Sequence, residues 1–163
     1  MEEVKFSKLM SIHRHWQWAD WTKEEFEYHL KIDAPEIFKD RERNIEFILF
    51  NGSTGKNMFL WYALLYAACE GIKELYREDY FGNKVDIYQI APDFKELESD
   101  LRLFRNGAFH VQSDYYTKKF HNFLKVAEYA SKVRKIHKNI GDYIMEQVII
   151  FDKAIIAENR EST

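Results

Sequence analysis

Arg105 and His110 are the residues whose types and spacing most suggest chemistry, within Leu-Arg-Leu-Phe-Arg-Asn-Gly-Ala-Phe-His at positions 101–110. Arg105 is expected at or near the end of a helix, Asn106-Gly107 is expected to stop that helix, and a further helix is expected to open at Ser113-Asp114. Such a junction brings a guanidinium and an imidazole to one end of a bundle. An imidazole moves protons near neutral pH. A guanidinium grips a phosphate through two parallel N–H donors and stabilises charge that develops there. Asn106 is placed to hold either the imidazole or a phosphate oxygen. The same residues have plainer uses: Arg105 suits the capping of helix carbonyls, and His110 suits a satisfied loop histidine.

The stretch resembles the motif of the HEPN superfamily (higher eukaryotes and prokaryotes nucleotide-binding), an Arg and a His separated by four to six residues, often with a polar residue directly after the Arg. Arg105-Asn106-Gly107-Ala108-Phe109-His110 is similar to its four-residue version. The resemblance implies an all-α bundle and a metal-independent endoribonuclease, often a toxin or antiviral defence effector, with no cofactor. It implies Arg105, His110 and Asn106 as catalytic residues, and Glu70 as a supporting carboxylate on the core helix beside them. It also implies a homodimer whose two motifs meet in one site, and an antitoxin or regulatory partner. The chain departs from the toxins that pair with nucleotidyltransferases: these typically carry a Tyr two residues after the His, where this chain has Gln112, with Tyr115 and Tyr116 further on. That pairing is therefore not implied. Other members of the superfamily are non-catalytic, and a helical module binding a partner protein or a nucleotide is the alternative.

Other signals are weaker. Gly52-Ser53-Thr54-Gly55-Lys56-Asn57 has two residues before Gly-Lys where a phosphate-binding loop needs four, and lacks the following Ser or Thr, so it reads as an inter-helix turn. His13 and His15 would share a face only on a strand, and nothing nearby completes a metal site. Trp16, Trp18 and Trp21 read as core or interface before they read as a base-stacking platform. Lys118, Lys119, Lys125, Lys132, Arg134, Lys135 and Lys138 form the one local basic stripe available to RNA, with Lys118, Lys119 and Lys125 as the candidate phosphate contacts. The net charge of −3 excludes a broadly basic nucleic-acid-binding surface.

These residues need helices to position them. Six Gly and two Pro in 163 residues are too few to punctuate a many-stranded β-fold, whereas 46% hydrophobic residues supply a sizeable core. One domain over residues 1–163 is expected, as a bundle of five to six helices. Helices are expected over about 22–32, from Asp33-Pro35 to near Gly52 (with Ile45 to Phe50 as a possible strand), over 57–77, from Asp93 to Asn106, from Ser113 to Asn139-Gly141, and then through Phe151 to a polar, frayed tail after Glu158. Residues 79–92 read as a surface loop. Cys69 is the sole cysteine and reads as a buried, inert thiol. The run from Met58 to Cys69 is too short to span a membrane, and Met-Glu-Glu does not open a secretory leader; a soluble, cytoplasmic protein is expected.

Overall fold

The computed structural model describes residues 2–39, 52–78, 85–109 and 127–161, with side chains over 6–33, 52–78, 85–109 and 128–154. These residues form an all-α bundle: α1 (Glu2–Lys39), α2 (Ser53–Arg77), α3 (Ile87–Ile90), α4 (Phe94–Phe109) and α5 (Ala127–Glu161). There is no strand among the described residues. The expected strand at Ile45 to Phe50 lies outside them.

Leu9, Ile12, Trp16, Ala19, Phe26 and Leu30 recur on α1 at helical steps and join the core, so one apolar stripe binds the helix along its length. That stripe overrides the break expected at Thr22, and the helix also runs through the one expected at Asp33-Pro35. Thr22 does not cap a new helix. Its hydroxyl bonds back to the carbonyls of Trp18 and Ala19, 2.9 and 3.1 Å away, inside a continuous one. The Asp33 carboxylate accepts from the Thr54 hydroxyl of α2 instead of capping its own turn.

α2 is the central helix, apolar on most faces, with Trp61, Leu65, Ala68, Cys69, Ile72 and Leu75 almost wholly buried. It starts at Ser53, earlier than the expected position 57, and the Gly52–Asn57 run forms its first turn rather than an inter-helix turn. α1 runs antiparallel to it, Phe26 meeting Trp61 at one end and Lys8 pairing with Glu78 at the other. α4 packs its Phe104 edge-on against Phe59 and Tyr62, at centroid distances of 4.9 and 5.0 Å. The segment expected as loop contains α3, capped by the Asp86 carboxylate and by Gln89 reaching back to the Asp86 N–H. Tyr88 of α3 donates to Glu98 at 2.6 Å, and Lys73 of α2 donates to both, at 2.6 Å to Glu98 and 3.0 Å to Tyr88. Glu98 is held below the usual carboxylate range: burial opposes this, and the bonds from Lys73 and Tyr88 outweigh it.

α5 runs antiparallel to α1, through Arg134–Glu27, His137–Asp20 and Phe151–Phe6. The stop expected at Asn139-Gly141 is absent, and the helix continues to Glu161, beyond the fraying expected after Glu158. Gly141 is spent on packing: a Cβ there would lie 2.3 Å from Cζ2 of Trp16. The indole has no room to retreat. It stacks on His137 at 5.4 Å, and its Nε1–H donates to the His137 carbonyl at 3.1 Å.

The His137 ring is buried among three helices. Nδ1 accepts from the Trp61 indole N–H at 3.2 Å, so the ring proton sits on Nε2 and is donated to Asp20 Oδ1 at 2.9 Å. Burial lowers the His137 pKa and outweighs the opposing bond to Asp20, leaving a neutral imidazole. Asp20 is lowered despite its own burial, because Lys23 and His137 favour its charged form.

The signs combine. His137 binds its proton less readily folded than unfolded, so its contribution is complete above its ordinary value of 6.5 and is lost as pH falls below it. Asp20 adds a contribution present above 3.8 and lost as pH falls through its lowered folded value. Urea unfolding should therefore show stability declining as pH drops from about 8 to about 5. The decline should be shallower in His137→Gln; an unchanged slope would mean that His137 is not a source of it.

Gly141→Ala should cost roughly 1–2 kcal/mol in the same assay, overpacking against a fixed indole exceeding the helix-propensity gain. Gly71→Ala, whose Cβ would meet only the Ile12 side chain, should change stability by less than about 1 kcal/mol. The reverse order would contradict the packing.

Candidate functional site

Leu101 and Phe104 bury one face of α4 and leave Arg105 on the rim. Asn106-Gly107 does not end the helix, contrary to expectation. α4 continues to Phe109, so Arg105 stands one turn inside it. Its Nη1 donates to Asn106 Oδ1 at 3.1 Å, and its Nη2 lies 3.7 Å from Glu70 Oε2 of α2. Asn106 therefore holds the guanidinium, where the sequence had offered it the imidazole or a phosphate oxygen. The structure brings Arg105, Asn106 and Glu70 together. His110, Lys118, Lys119 and Lys125 lie outside the described residues, as do Gln112, Tyr115 and Tyr116.

Arg105 opens onto a groove of about 450 Å³ between α1, α2 and α4, walled by His15, Glu70, Glu74 and Phe109. Its floor is Ala67 and Gly71. The groove continues along α1 into a smaller pocket of about 190 Å³ that reaches Ser11 and Lys8. Local sequence explains its shape: Gly71 lets α1 approach until Ile12 Cγ1 would stand 2.7 Å from a Cβ there, and the small floor leaves the longer side chains as walls.

His15 is the residue that sequence reasoning missed as a candidate acid or base. Its Nδ1 lies 2.8 Å from the Ser11 carbonyl oxygen, which can only accept, so Nδ1 carries the ring proton and Nε2 keeps its lone pair. The Trp18 ring meets the imidazole edge-on at 5.8 Å, and Arg14 lies 5.5 Å above Trp18. The available signal was helical: on a helix Ser11, His15 and Trp18 share one face, whereas His13 lies on another and stacks against Trp16. Among the described residues no group of three or more His, Cys, Asp or Glu side chains is placed to hold a metal.

The remaining candidates separate clearly. Trp16 joins the core, whereas Trp18 and Trp21 are exposed, with Tyr28 and Ile32 further along α1. In the described part of the basic stripe every cation faces a carboxylate: Lys132 pairs with Glu96 and Glu128, Arg134 with Glu27, Lys135 with Asp93 and Lys138 with Asp142. Those local pairs weaken the stripe as a phosphate track. Cys69 is fully buried and its pKa is pushed up by that burial, which keeps the thiol protonated and unreactive. No helix among the described residues is long and apolar enough to cross a membrane.

No protein-family model, no curated protein and no solved structure matches this chain.

The Glu70–Arg105 contact spans 3.7 Å between side chains that are 42% and 35% exposed, a regime in which ion pairs contribute little. A double-mutant cycle with Glu70→Gln and Arg105→Gln should give a coupling below about 1 kcal/mol that shrinks further in salt. A larger, salt-independent coupling would make this pair a structural tie.

Proposed function

We propose that the chain is a metal-independent endoribonuclease of HEPN type, using Arg105, Asn106 and His110. The observation that carries the reading is a guanidinium oriented by its neighbouring amide on the rim of an open groove in an all-α bundle. Arg105 holds the scissile phosphate and stabilises charge on its oxygens as the ribose 2′-hydroxyl attacks. Asn106 presents the guanidinium, and His110 moves protons. Glu70 steadies Arg105 weakly enough to yield it to a phosphate.

A second reading, a non-catalytic module binding a partner protein or nucleotide, is favoured by one specific observation. Glu70 and Glu74 place two carboxylates in the groove, which opposes tight binding of a polyanion. The exposed aromatic face of α1 suits the second copy or regulatory partner that either reading accommodates.

The test is cleavage of single-stranded RNA in EDTA. The expected products are 2′,3′-cyclic phosphates and 5′-hydroxyls. His110→Ala should lower the rate about 10²–10⁴-fold, and Arg105→Ala by a similar factor. Arg105→Lys should not restore it fully, because an ammonium lacks the planar fork. Wild-type cleavage by folded His110→Ala would refute the assignment, and no cleavage of varied RNAs by the unmodified protein would favour the binding module.

A further inference from the structure

We propose that His15 is a proton acceptor of this groove, taking the 2′-hydroxyl proton of a ribonucleotide whose 3′-phosphate lies on Arg105; the inference rests on the ribonuclease reading above. Three observations converge on it. His15 of α1 and Arg105 of α4 wall the same groove, whose volume of about 450 Å³ falls in the range of pockets that enclose small ligands. The bond from Nδ1–H to the Ser11 carbonyl fixes the tautomer and leaves Nε2 as the basic nitrogen. A base whose second nitrogen is tethered in this way is the arrangement that proton abstraction requires. Phe109, exposed and lining the same groove, supplies a flat apolar surface on which a base can stack, and the Trp18 ring braces the His15 imidazole from outside it.

The step balances. The 2′-hydroxyl proton passes to His15 Nε2, the 2′-oxygen forms a bond to phosphorus, and the P–O5′ bond breaks. The departing 5′-oxygen is protonated by the proton-moving histidine of the ribonuclease reading above, and solvent returns the imidazolium proton to that acid. The products are a 2′,3′-cyclic phosphate and a 5′-hydroxyl. The charged groups facing this site are Lys8 on α1, Glu70 and Glu74 on α2, and Arg105 on α4.

The experiment has two arms on the full chain. Uridine 3′-monophosphate titrated into the protein, followed by NMR of the histidine rings, should shift the His15 signals saturably. Arg105→Gln should weaken that shift at least tenfold in ligand concentration, and unmoved His15 signals would overturn the proposal. In cleavage assays His15→Gln should lower kcat about 10²–10⁴-fold with little change in KM. Added imidazole should restore part of the activity to His15→Ala, which a merely structural role would not permit. Cleavage by His15→Gln at the unmodified rate would overturn this inference and leave the ribonuclease reading standing. No cleavage by the unmodified protein would overturn both.

Discussion

A buried imidazole is tolerable only when both of its nitrogens are satisfied, and the bundle is arranged around that requirement at His137. One ring nitrogen accepts a hydrogen bond from Trp61 of α2 and the other donates one to Asp20 of α1, while the backbone carbonyl of the same residue accepts from Trp16. Apolar burial alone would let long amphipathic helices slide and rotate against each other with modest loss. Directional bonds from one residue to two other helices leave a single arrangement. Asp20 and Lys23 complete the network where it reaches the surface: Lys23 and His137 keep the carboxylate charged, and burial keeps the imidazole neutral against the pull of Asp20.

Close approach follows from the same requirement. Trp16 reaches His137 only because Gly141, one turn further along α5, presents no Cβ to the indole. Gly71 does the corresponding service on α2, where Ile12 settles over it. Each gives up roughly 1 kcal/mol of helix propensity, in return for a fixed indole contact at Gly141 and for a closer seat of the Ile12 side chain at Gly71.

That exchange explains much of what the sequence left hidden. The all-α class was legible from scarce turn residues and from apolar steps of three and four, and the central helix from its all-round apolarity. The breaks were not. Thr22, Asp33-Pro35, Asn106-Gly107 and Asn139-Gly141 carry the local chemistry of helix ends, yet α1, α4 and α5 pass through them, because tertiary packing along a long stripe outweighs local signals. In the candidate site, Arg105, Asn106 and Glu70 were legible as a group, but not that Asn106 serves the guanidinium. His15 was hidden for a different reason. It lies 90 residues from Arg105 in the chain, and only the antiparallel packing of α1 on α2 brings it to the groove.

The core and the groove meet at two consecutive residues. His15 and Trp16 are neighbours on α1, and neighbours on a helix point about 100° apart. Trp16 is held against Gly141 and His137, so the rotation of α1 about its axis is set in the core, and with it the direction in which His15 faces. The other wall is set independently, by Phe104 between Phe59 and Tyr62, one residue before Arg105. Two rigid aromatic anchors thus stand directly beside the imidazole and the guanidinium of the groove. Between them, Glu70 approaches Arg105 at a distance too long for a strong bond, on a surface wet enough to screen it.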